Sequence, residues 1–172
     1  GWLAAIEAEV RANLGQTEIC LQSLADAECF DKQSPTPLEN YLIHFDRTLL
    51  GGYQGVCFRL LARPEQPQSQ IFLQKAQDIL RSSLAELDPL FIQRRPTLLA
   101  DLASVAIAQH NIEEGCELIS QAATLATQMH LQKVIQRLIS FRDQLQPWEE
   151  SASVKAVDAH LAFLSSQPNA PV

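Results

Sequence analysis

Apolar positions recur three and four residues apart along most of this chain, and that spacing predicts amphipathic helices. The first is expected from Trp2 to Leu14, with Leu3, Ile6, Val10 and Leu14 as its stripe. Gly15 sits where a left-handed residue ends a helix. The second is expected from Thr17 to Cys29, turning Cys20, Leu21, Leu24 and Ala27 toward the first. The short Gly15-Gln16 link makes the pair a helical hairpin. Thr36-Pro37-Leu38-Glu39 reads as a capping box opening a short helix with Tyr41 and Leu42. Asp46 can cap a longer helix reaching Leu61. Gly51, Gly52 and Gly55 inside it each disfavour helix by about 1 kcal/mol relative to Ala, so they mark close packing against another backbone. A turn at Arg63–Pro67 precedes a helix from Gln68 to Leu87 carrying Ile71, Phe72, Ala76, Ile79, Leu80 and Leu84.

The second half repeats the grammar. From Arg95 to Gln128 the chain reads as one helix-turn-helix unit of about 34 residues. Ala103, Ala106, Gly115, Ala122 and Ala126 stand where two helices must approach; Leu99, Leu102, Ile119 and Leu125 fill the space between. The break falls at Gln109-His110-Asn111, with Asn111 as the next cap and Glu113 and Glu114 near a helix N-terminus. Helices at Gln132–Leu145 and Ser153–Leu164 follow, the last with Val154, Val157, Leu161 and Leu164 as its stripe. No segment alternates at period two, so no sheet is expected. The fold class is all-α: antiparallel helix pairs, about eight helices in total, stacked as a solenoid. Residues 1–164 read as a single repeat domain and 165–172 as a flexible tail.

Composition narrows the chemistry. The chain has 172 residues, a net charge of −7, and 47% apolar against 19% charged positions. That composition suits an ordered globular chain. The negative balance argues against direct contact with nucleic acid or anionic lipid. No apolar run reaches the roughly 18 residues of a bilayer span. Cys20, Cys29, Cys57 and Cys116 show no C-x-x-C spacing and read as reduced, packed thiols, which points to the cytoplasm. The chain opens Gly-Trp-Leu inside a helical pattern with no initiator methionine, so Gly1 reads as a tag scar and the sequence as a piece of a longer protein.

Candidate chemistry is sparse. His44, His110, His130 and His160 lack the spacing of metal ligands, so no metal is expected. Gly51–Gly55 has neither the preceding strand nor the following Lys-Ser/Thr of a phosphate loop. No G-x-S-x-G elbow occurs, and the carboxylate pairs Glu113-Glu114 and Glu149-Glu150 suit helix ends or solvent rather than acid–base work. The expectation is a non-enzyme without a cofactor. Tyr41 and Trp148 suit either interface anchors or plugs between helices.

The spacing of small and large residues resembles the tetratricopeptide repeat. One copy uses Leu99, Leu102, Ala103 and Ala106, then Gly115, Ile119 and Ala122; a second uses Gly55 and Phe58, then Ala76 and Leu80; a third uses Gly15, Cys20, Leu24 and Ala27. His110 replaces the usual turn glycine, while Gly115 and Cys20 replace alanine. The resemblance implies a right-handed solenoid whose first helices line a concave groove. On that register the groove residues are Glu9, Asn13, Val56, Arg59, Leu60, Ala100, Ser104, Ile107 and Ala108. Arg59 and Asn13 suit a peptide backbone or carboxylate.

A narrower likeness is carried by Leu98–Ala103, Ile112–Cys116, Val134–Leu138, Gln146-Pro147-Trp148 and Val154–Leu164. With these go Asn13-Leu14-Gly15 and Cys20-Leu21, and Phe45-Asp46 followed by Leu50 and Gly55. Together they are similar to the C-terminal repeat region of helix-turn-helix transcriptional regulators of filamentous, spore-forming bacteria. That resemblance implies a DNA-binding domain upstream of this segment, a peptide or protein ligand, and a homodimer. An adaptor scaffold of a multidomain signalling protein is the alternative reading, and an enzyme is the third.

Overall fold

The computed structural model describes residues 1–33 and 45–166. Among them there is no strand, and eight α-helices of nine or more residues are joined by turns. The chain divides into two compact units, Gly1–Leu87 and Asp88–Val172. The expected helix around Tyr41 and Leu42, and the chain beyond Ser166, lie outside the described residues.

In the first unit, α1 (Trp2–Asn13) and α2 (Thr17–Gln33) form the expected hairpin. Gly15 turns the corner at φ 73°. Its amide donates to Ala12 O at 3.0 Å, and that of Gln16 to Arg11 O at 2.9 Å, so the last carbonyls of α1 are satisfied by a Schellman motif. The face that α1 buries differs from the sequence expectation. Ala5, Ala8 and Ala12 are fully buried, while Leu3, Val10 and Leu14 are 75%, 52% and 61% exposed. Ile6 is half-buried. The cause is distance. Alanines at three- and four-residue spacing let α1 lie close to both α2 and α3, where a row of leucines would hold the backbones apart. On α2, Cys20, Leu24 and Ala27 are buried as expected, but Leu21 points outward.

Helix α3 (Arg47–Leu61) starts at Asp46, whose carboxylate accepts from Leu49 N at 2.8 Å and Thr48 Oγ1 at 2.7 Å. It packs against α1 and α4 (Ser69–Ala85). Gly51 and Gly55 are the contact with α4: a Cβ on Gly51 would run into the Ser83 hydroxyl, and one on Gly55 into the Leu80 side chain. Their low helix propensity is therefore exchanged for backbone proximity. Phe72, Leu73, Ala76 and Leu80 complete this core, and Ile71 faces solvent.

In the second unit a 3₁₀ turn (Pro89–Arg94) leads into α5 (Arg95–Ala108), which packs on α6 (Ile112–Gln128). The anticipated interface is buried: Leu99, Leu102, Ala103 and Ala106 on α5, and Gly115, Ile119, Ala122 and Ala126 on α6. A Cβ on Gly115 would come within 2.9 Å of Ile107. Both corners of this unit are closed by histidines in the left-handed region, His110 at φ 61° and His130 at φ 56°. Each repeats the Gly15 arrangement, with Asn111 N donating to Ala106 O and Leu131 N to Ala126 O, both at 2.8 Å. Asn111 does not cap α6 with its side chain; its amide donates instead to Glu114 at 2.7 Å.

The helix expected over 132–145 is broken at Ser140-Phe141 into α7 (Gln132–Ser140) and a single turn, α8 (Arg142–Leu145). A 3₁₀ turn at Gln146–Trp148 follows, and α9 (Ala152–Ser166) then packs on α6 through Val154, Val157 and Leu161. Helix α9 thus runs two residues past the end expected at Leu164. Among the described residues, α1 to α4 belong to the first unit and α5 to α9 to the second.

Candidate functional site

The groove residues projected from the repeat register fall into two sets, one in each unit. In the first unit they lie on α1 and α3, which pack side by side. Glu9, Val56, Arg59 and Leu60 are half-buried, and Asn13 is exposed. Asn13 is committed to its own helix end: its side-chain amide donates to Glu9 O at 3.0 Å, and its carbonyl accepts from the Arg63 guanidinium at 3.2 Å. A cation at a helix C-terminus meets both the unsatisfied carbonyls and the negative end of the dipole. That arrangement holds the α1 corner and leaves the Asn13 side chain turned back along its helix.

In the second unit, Ala100 is fully buried, Ile107 is 4% and Ser104 7% exposed, and Ala108 is half-buried. The first three are packing residues and do not line an open wall. Helix α5 is apolar on nearly every side, with buried residues in unbroken succession from Leu98 to Ile107. A helix of that kind belongs inside a core.

One charged group interrupts that succession. Asp101 on α5 is 4% exposed and pairs with Arg137 on α7, whose guanidinium also lies over the Phe141 ring with its central carbon 5.8 Å from the ring centroid. A buried carboxylate needs such a partner, since leaving it unpaired is strongly unfavourable. Trp148 is half-buried, its ring centroid 5.6 Å from that of His110. It therefore packs on the first corner of this unit. Gly51–Gly55 lies within α3 and forms no loop. No group of three or more His, Cys, Asp or Glu side chains among the described residues could hold a metal ion. Nor is any helix among them long and apolar enough to cross a membrane.

What the register missed is the outer face of α1. Leu3, Val10 and Leu14 lie along the side of the helix opposite the buried alanines. Ile19, at the start of α2, is also exposed, at 47%. Between Gly1 and Cys29 the chain carries Glu7, Glu9, Glu18, Asp26 and Glu28 against the single cation Arg11, which itself pairs with Glu7 at 3.0 Å. The hairpin thus presents an apolar ridge on an acidic element. Ala5, Ala8 and Ala12, three and four residues apart, were the available signal.

No protein-family model, curated protein or solved structure matches this chain.

Proposed function

We propose that this chain is a non-catalytic protein- or peptide-binding module, with its helix hairpins stacked as a tetratricopeptide-like right-handed solenoid. Its role is the sensing and dimerisation part of a cytoplasmic transcriptional regulator. The observation that carries this reading is the α1 ridge, where large apolar side chains face solvent and small ones face the core. Exposed apolar surface of this kind marks interaction sites. The resemblance of the packing residues to regulator repeat regions supports the cellular role.

The ligand suited to the ridge is an amphipathic helix with leucines at i, i+3/i+4 and i+7 and basic residues beside them. Its apolar stripe would cover Leu3, Val10 and Leu14, and its cations would meet the carboxylates of the α1–α2 hairpin. The test is fluorescence anisotropy with a labelled Leu/Lys peptide of that pattern and a scrambled peptide of identical composition. The patterned peptide binds more tightly, and the triple change Leu3→Ser, Val10→Ser, Leu14→Ser weakens it by at least about tenfold, or 1.4 kcal/mol, without lowering the melting temperature. Equal binding of patterned and scrambled peptides overturns the reading. Sedimentation of the wild type against the triple variant reads self-association separately.

A further inference from the structure

The first unit ends at Leu87, and the 3₁₀ turn that follows presents a second apolar surface. Pro89–Arg94 carries Leu90, Phe91 and Ile92 in succession, yet none of its six residues is buried. Leu90 is 80% exposed and Ile92 44%. Large apolar side chains gathered at such exposure mark a contact surface. The turn that displays them is anchored at both ends. Asp88 accepts from Leu90 N at 2.8 Å, and Pro96, at the start of α5, is fully buried. The two side chains therefore stand on a fixed base.

The turn and the α1 ridge are opposite in charge. From Pro89 to Ala100 the chain carries Arg94 and Arg95 and no acid. Arg94 lies over the Phe91 ring with its central carbon 4.4 Å from the ring centroid, and Arg95 is half-buried. The preceding acid, Asp88, is engaged by the Leu90 amide, and the following one, Asp101, is buried against Arg137. On the ridge, Glu7 falls in line with Leu3, Val10 and Leu14, and Glu18 stands exposed beside Ile19. Glu7 pairs with Arg11 only across an exposed helix turn, a weak bond that an incoming arginine can replace. Ridge against ridge would set acid against acid, and turn against turn would set arginine against arginine. Ridge against turn joins apolar surface to apolar surface and brings opposite charges together.

We propose that the turn at Pro89–Arg95 of one copy of this chain docks on the α1 ridge of a second copy. The inference rests on the reading of the ridge as a binding surface and names its partner. Leu90 and Ile92 meet the apolar stripe, while Arg94 and Arg95 meet the carboxylates of Glu7 and Glu18. The two surfaces in contact are different parts of the chain, so the interface is heterologous rather than a patch facing its own image. A single short turn covers little area. The association is accordingly reversible, and because its charges lie at the surface it weakens as salt rises.

The experiment is sedimentation equilibrium of the full chain at roughly 5 to 200 μM, the range of micromolar contacts. The wild type self-associates, and more weakly in high salt. The pair Leu90→Ser, Ile92→Ser weakens association at least about tenfold at an unchanged melting temperature. So does the charge reversal Arg94→Glu, Arg95→Glu, and so does the reversal Glu7→Arg, Glu18→Arg. Both reversals combined in one chain restore association, because each copy then offers the swapped charges to the other. The proposal is overturned if the wild type stays monomeric throughout the range, or if the changes at Leu90 and Ile92 leave association intact. It is equally overturned if Glu7→Arg, Glu18→Arg tightens association, which is the signature of a ridge paired with itself, or if the combined reversal fails to restore it. Anisotropy with the patterned Leu/Lys peptide separates the two readings. A peptide that binds a chain with no self-association removes this inference and leaves the ridge as a binding surface, whereas loss of both removes both.

Discussion

Helices α1 and α5 each open a hairpin and each carry rows of alanine, yet they are treated oppositely by their surroundings. Helix α1 buries only its small side and turns Leu3, Val10 and Leu14 to solvent. Helix α5 is enclosed, with Leu98, Leu99, Leu102 and Ile107 buried alongside Ala100, Ala103 and Ala106. In both, alanine marks where a neighbouring backbone comes close. What differs is the number of neighbours: α5 lies against the 3₁₀ turn, α6 and α7, while α1 lies against α2 and α3 and has a whole side left over. A leucine therefore stabilises the second unit from within, whereas Leu3 and Leu14 on α1 face solvent.

This contrast can be broken experimentally. Leu102→Ala, at a position 4% exposed on α5, is expected to lower stability by about 2–5 kcal/mol. Val10→Ala, at a position 52% exposed on α1, is expected to change it by no more than about 0.5 kcal/mol. Urea titration of both variants checks the difference, and equal losses would mean the ridge is core. Next in size is Arg137→Ala, which takes from the buried Asp101 carboxylate its cation on α7. Because the Arg137 side chain is 39% exposed, the expected loss is about 2–3 kcal/mol, below the range for a fully buried pair. Hydrogen exchange should then show α7 amides losing protection before those of α6. Ala8→Leu forces a branched side chain into the fully buried side of α1 and should destabilise by about 1–3 kcal/mol, while Val10→Leu on the ridge should be silent. Of opposite sign is His130→Gly. It relieves a left-handed residue at φ 56° and is expected to stabilise by about 0.5–1 kcal/mol, read as a rise in melting temperature.

Most helices were legible because their periodicity and punctuation agree. Asp46 as a cap, Gly15 as a left-handed corner and Gly51 and Gly55 as close contacts all stand where the residue types place them. The buried face of α1 was not legible from hydrophobicity, since proximity between helices selects for small volume and the more apolar stripe ended outside. The break at Ser140-Phe141 was likewise hidden in a continuous apolar pattern. Sites suffered more than elements. Projecting a repeat register assigns Ala100, Ser104 and Ile107 to a groove because it presumes that a first helix has an open side, and α5 buries all three.

The corners at His110 and His130 also limit how this chain can vary in length. In each, the amide of the next residue, Asn111 or Leu131, already reaches back to a carbonyl of the preceding helix, so the turn has no slack. One extra residue at the first corner would rotate α6 by about 100° relative to α5. Glu114 would then stand where Gly115 now lies against Ile107, and Leu118 where Ile119 is buried. Insertions in a lineage of this sequence should therefore gather in the connection between Arg63 and Gln68, and the spacing at the two histidine corners should stay invariant.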